Sequence, residues 1–172
     1  MNTDVGIFDH GRPVHLTYEG LVSYHGGAAL AGAAIGYRAL GYAGSVLSSY
    51  RTWDRKDVSV ISWHDGPGMR DAIEYVTRAI TRERFQLHAE GGQNCATPRA
   101  FRLEVRNGPQ RVQIALRDGA VVQRFFDLAG MLNRDAAAEQ QLGRLKAEAS
   151  RAVMRSPNKH LFELCEMEPA RA

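Results

Sequence analysis

From Ala28 to Ser48 the chain is an apolar run interrupted by Gly32, Gly36, Gly41 and Gly44. Glycine is about 1 kcal/mol worse than alanine in a helix, so a helix here must draw its stability from packing. Leu30, Ile35, Leu40 and Val46 supply apolar surface. Gly32 and Gly36, four apart, clear side chains from one face and admit another backbone. The run predicts a helix buried at the centre of a domain or at a dimer interface. Arg38 at its middle and the repeated glycines argue against a membrane span.

The rest of the chain sets the scale of that domain. Its 172 residues, 44% apolar and 24% charged, fit one domain with a real core and a small helical appendage. The formal charge is +3, carried mostly by arginine, since Lys56, Lys146 and Lys159 are the only lysines. No zinc finger, RNA-binding aromatic signature or basic tail occurs, and nucleic acid is not an expected partner. Cys95 and Cys165 stand far apart, which excludes a zinc ribbon and a disulfide scaffold and fits a reducing compartment. The N-terminus lacks the charged start and apolar stretch of a signal peptide. The expected location is cytoplasmic.

The chain divides into 1–16, an irregular lead-in; 17–131, the main domain, whose extent is that of the resemblance described below; and 132–172, a C-terminal helix and acidic tail. Thr17 caps a first helix carrying Leu21, Val22 and Tyr24, which breaks at Gly26-Gly27 before the glycine-ridged helix. Val58 to His64 is rich in β-branched and aromatic residues and predicts a strand. Pro67 fits the first turn of a helix bearing Ile73, Val76, Ala79 and Ile80. Three strands follow: Arg84 to Glu90, Ala100 to Arg106 and Arg111 to Arg117, with Asn107-Gly108 predicting a tight hairpin between the last two. Val121 to Met131 and Arg134 to Arg155 predict helices, the second polar and facing solvent, stopped by Ser156-Pro157-Asn158. The order implies an α+β fold, a single mixed or mainly antiparallel sheet with helices packed on one face.

Chemistry-bearing residues are few. His25 stands at a helix end beside Gly26 and Gly27, which open the backbone so that N–H groups at the next helix start can meet an anion. His64 and Asp65 end a strand and precede a helix, although neighbours on a strand point to opposite faces. Cys95 lies on a glycine-rich polar loop that can close over a pocket, with no partner base in its neighbourhood. His88 reads as a half-buried strand residue. Arg102, Arg106, Arg111 and Arg117 read as a solvated sheet face, with an anion pocket as the sharper alternative. No nucleophile elbow, phosphate loop or dinucleotide fingerprint is present.

Two stretches carry a resemblance. Tyr24-His25-Gly26-Gly27-Ala28-Ala29-Leu30-Ala31-Gly32, running into Ile35-Gly36-Tyr37-Arg38-Ala39, is similar to an aromatic-H-G-H-x-C-P-G loop followed by a helix reading x-x-I-G-Y-R-A. Asp65-Gly66-Pro67-Gly68-Met69-Arg70-Asp71-Ala72-Ile73 resembles D-A-C-G-V-D-A-I with one extra residue. Thr77-Arg78-Ala79-Ile80, Arg99-Ala100-Phe101 and Val112 to Arg117 follow in matching order. In these stretches the chain resembles the FmdE-like family, named for a component of formylmethanofuran dehydrogenase. The resemblance spans about residues 17–131 and implies an α+β fold like the sheet domain of glyceraldehyde-phosphate dehydrogenase, and a homodimer.

Family members bind a transition metal through the first motif's histidine and cysteine and through cysteines of the second region. In this chain the thiolate positions fall on Ala29 or Leu30, Pro67 and Ala79, none of which coordinates metal, while zinc needs about four donors. The expectation is an eroded metal site with no cofactor. The domain would then bind a small anionic ligand or a partner protein at His25, Gly26, Gly27, His64, Asp65 and Cys95. By the resemblance, its setting is one-carbon or pterin-type cofactor metabolism. The alternative is an enzyme using His25, His64 and Asp65 as acid–base groups, or as an altered metal set with Cys95, on an anionic substrate.

Overall fold

A computed structural model describes residues 3–49, 51–88 and 96–168. The fold is α+β. A hairpin of β1 (Val5–Asp9) and β2 (Arg12–Leu16) leads into helices α1 (Tyr18–His25) and α2 (Leu30–Leu47). Strand β3 (Val58–Ser62), helix α3 (Pro67–Thr77) and strands β4 (Phe85–Leu87), β5 (Arg102–Asn107) and β6 (Gln110–Leu116) follow. Helices α4 (Gln123–Ala129), α5 (Ala136–Arg155) and α6 (Asn158–Leu161) and strand β7 (Phe162–Glu168) complete the chain. The sheet is mixed, in the order β4-β3-β5-β6-β7, with β3 and β4 parallel and the other pairs antiparallel.

Alternation on the strands decides which face the helices cover. Val58 and Val60 of β3, Leu103 and Val105 of β5, and Val112, Ile114 and Leu116 of β6 are all buried. Helix α2 packs on this face against β5 and β6, α3 lies beside β3, and α5 packs on α2. Arg102, Glu104 and Arg106 fall on the opposite face of β5 by alternation. There Glu104 is ion-paired to Arg106 and Arg111, at 2.7 and 3.7 Å, and Arg102 lies 4.0 Å over the Trp63 ring. These arginines form a paired lattice rather than an anion pocket. Arg117 instead donates to the Phe162 carbonyl.

The glycine ridge of α2 faces α3. A side chain at Gly32 would meet the Met69 backbone nitrogen at 3.4 Å, and one at Gly36 would come within 2.8 Å of both Ala72 Cβ and Met69 Sδ. Conversely, Gly68 of α3 leaves no room for a Cβ beside the Ala29 carbonyl and the Ala33 nitrogen. Positions 29 to 36 of α2 thus meet positions 68 to 72 of α3 in ascending order, and the two helices run parallel. No helix among the described residues is long and apolar enough to cross a membrane.

Five expectations are corrected. The lead-in is a two-residue-turn hairpin, with His10 and Gly11 at φ of 50° and 78°. Asp54 holds that turn by accepting the His10 and Gly11 N–H groups at 3.0 and 2.9 Å. Helix α5 does not simply face solvent, because Leu142, Ala149, Ser150 and Val153 form a buried stripe. The C-terminal segment is strand β7, which pairs along β6 from Leu116↔Phe162 onward with a bulge at Cys165. Strand β3 also stops two residues early. The Ser62 hydroxyl donates to the His64 carbonyl and accepts the His64 N–H, turning the chain. The expected strand from Arg84 shortens to three residues, and its end at Glu90 lies outside the described residues.

Candidate functional site

Helix α1 starts at Thr17, whose hydroxyl accepts the Gly20 N–H, and ends at Gly26 in the left-handed region at φ 57°. That conformation is easy for glycine alone, and it turns the chain so that the following loop folds back over His25. The imidazole side chain is only 4% exposed. Its Nε2 accepts the Ala29 N–H at 3.2 Å, and its Nδ1 lies 2.6 Å from Asp71 Oδ2 on α3. An accepting Nε2 leaves Nδ1 to carry the proton and donate it to the carboxylate. A Cβ at Gly27 would crowd the ring at 3.1 Å from Nε2. His25 therefore ties the end of α1, the loop and α3 together with both ring nitrogens engaged.

His64 is buried, and its Nδ1 accepts the Gly66 N–H at 3.0 Å. Its ring lies over Phe101 with centroids 4.0 Å apart and an interplanar angle of 32°. Burial penalises the charged imidazolium and outweighs the opposing charge of Asp65, bringing the pKa down to about 4. Asp65 is exposed. On the turn that follows β3 the two neighbours thus face inward and outward.

The histidines serve equivalent positions. Ala29 is the residue that starts α2 and Gly66 the one that starts α3, and neither has a side-chain cap. In each case a preceding imidazole accepts that residue's N–H. Neither helix has an acidic residue in its first turn. By contrast, α1 and α5 carry side-chain caps, Thr17 and Asp135, and first-turn acids, Glu19 and Glu139. Because α2 and α3 run parallel and touch at Ala29 and Gly68, their positive ends lie together. The bordering surface is exposed at Gly26, Gly27, Ala28, Asp65, Pro67 and Arg70.

The structure thus places His25, Gly26, Gly27, His64 and Asp65 around one pair of helix starts. Cys95 lies outside the described residues. The donor set does not fit the transition metal that the resemblance implies. Ala29, Leu30, Pro67 and Ala79 offer no ligand atom, and both nitrogens of His25 are engaged within the fold. Among the described residues no three His, Cys, Asp or Glu side chains converge to hold a metal ion. Acid–base work by His25 would first require the Ala29 N–H to leave Nε2.

Sequence reasoning missed Asp71 and Phe101, the partners of the two histidines. Asp71 lies 46 positions from His25, and only its place one α3 turn beyond Pro67 could have flagged it. Neither a protein-family model nor a curated protein matches the chain.

Proposed function

We propose that this is a binding domain of the FmdE-like type, whose joined helix starts receive a small anion, either free or on a cofactor of one-carbon or pterin-type metabolism. The observation that carries the reading is the pair of parallel helices meeting at Ala29 and Gly68, both without the side-chain caps and first-turn acids of α1 and α5. Two parallel dipoles side by side repel each other, and an anion at their common positive end relieves this. The Gly26–Ala28 loop leaves that end accessible. His25 and His64 act as positioning residues that hold the two starts in place. A homodimer, the assembly the resemblance implies, is part of the proposal and is tested by light scattering.

The experiment is an amide NMR titration with formate and inorganic phosphate. Saturable shifts are expected at residues 27–32 and 66–70. Ala28→Asp, which supplies a fixed negative charge on the exposed loop, should abolish those shifts and raise stability by about 0.3–1 kcal/mol. Shifts absent from both segments, or unaffected by Ala28→Asp, would overturn the reading.

A further inference from the structure

A second concavity lies away from these helix starts. A cleft of about 360 Å³ opens between the middle of α2, the segment entering β1 and the turn joining α5 to α6. Its inner wall includes Arg38, which is 5% exposed. The guanidinium donates to the carbonyls of Val153 and Met154, both at 2.9 Å, and Ser156 at 2.8 Å, and to Asn158 Oδ1 at 2.6 Å. These bonds hold the end of α5 against α2. All four acceptors are neutral, and together they use the four terminal N–H groups of the guanidinium, leaving the Nε–H as its remaining donor. The charge is thus met by the negative end of α5 in the wall of an open cleft, and an anion reaching that remaining donor would offset part of the cost of burying it.

The surrounding groups extend this polarity. Asn158 gives its amide oxygen to Arg38, which leaves its NH₂ group as a donor beside the guanidinium. The half-buried ring of Tyr42 and the exposed hydroxyl of Ser45 line one side. At the exposed mouth stands Asp4, whose carboxylate lies 2.9 Å from His15 Nε2. The cleft thus has a cation and an amide donor inside and a carboxylate at its rim. A dianion would be repelled by Asp4 and a simple cation by Arg38.

We propose that this cleft binds a small zwitterion of the amino-acid class, with its carboxylate at Arg38 and Asn158 and its ammonium at Asp4. The volume falls at the small-ligand end of binding cavities and admits an amino acid.

The test titrates isotope-labelled protein with each common L-amino acid, then with the deaminated acid and decarboxylated amine of the best binder. Saturable shifts are expected at the amides of Gly41, Tyr42, Ser45 and Asn158. The amino acid should bind roughly tenfold more tightly than either half-charged analogue. Asp4→Asn should reduce its affinity to that of the deaminated acid and leave the acid's own binding unchanged. Ser45→Trp, which fills the cleft from an exposed helical position, should abolish binding while the melting temperature is retained. No saturable shift with any amino acid, or a deaminated acid that binds as well as its parent, would overturn the proposal.

Discussion

His25 and His64 do the same work at two places: a ring nitrogen accepts the N–H of the residue that opens a helix. Two buried arginines do the converse at helix ends. Arg38 collects carbonyls at the end of α5, and Arg55 donates to the carbonyls of Tyr75 and Val76 at the end of α3, at 2.7 and 2.9 Å. The sequence marks His25 and His64 by their glycine and helix-start surroundings, so both were legible as candidates. Their partners were not, because each contact depends on how distant elements pack. The consequence for His64 is a pH dependence. Its folded-state pKa of about 4 lies below the ordinary 6.5. Between these values the unfolded chain binds a proton that the folded protein refuses. The stabilisation is therefore complete above about pH 6.5 and is lost as pH falls toward 4, on the order of 3 kcal/mol in all. Chemical denaturation across this window should show stability falling with pH in the native protein, and a smaller fall in His64→Gln. Equal slopes in the two proteins would show that His64 is not the group responsible.

At the scale of elements, the ridge on α2 was readable because glycines four apart in an apolar helix have few other uses. That the facing element is α3, and that α3 brings a glycine of its own to the contact, was not readable. The two corrected ends of the chain failed for different reasons. In β1 and β2, Val5, Ile7, Val14 and Leu16 alternate around His10-Gly11, a pattern present in the sequence but short. In β7, the charged residues of an edge strand, Glu163, Glu166 and Glu168, look like a solvated tail, because edges carry charge to discourage further pairing. The ridge makes a prediction of two signs. Gly36→Leu forces a side chain into Ala72 and Met69 and should cost about 1–3 kcal/mol. Gly143→Ala, within α5 where a Cβ meets nothing within 4 Å, should stabilise by about 0.5–1 kcal/mol through helix propensity. Thermal melts of both variants check this, and an unchanged Gly36→Leu melt would mean that the ridge does not face α3.

At the scale of the whole molecule, residues 132–168 complete the sheet and core that residues 3–131 begin. Val153 and Leu161 are buried in the same cluster as Ile35 and Leu40. The Tyr18 hydroxyl lies 2.8 Å from the Ser150 hydroxyl, and Arg38 is satisfied almost wholly by groups between Val153 and Asn158. Strand β7 covers the edge of β6, whose Val112, Ile114 and Leu116 would otherwise border an open seven-residue edge. Removing this segment would therefore do more than shorten a tail. It would strand a buried guanidinium without acceptors, uncover the outward side of α2 and expose a long apolar-rich edge strand. Leaving one buried charge unpaired alone costs about 3–5 kcal/mol, a large part of the about 5–15 kcal/mol by which domains are usually stable. A chain ending at Met131 should thus show no cooperative thermal transition and a collapsed amide spectrum, and should associate through β6. Supplying residues 132–172 in trans should restore dispersion at Tyr18 and Arg38. A truncated chain that melts cooperatively as a monomer would show that the sheet and α2 are self-sufficient, and that the C-terminal helix and strand are added to a fold that does not need them.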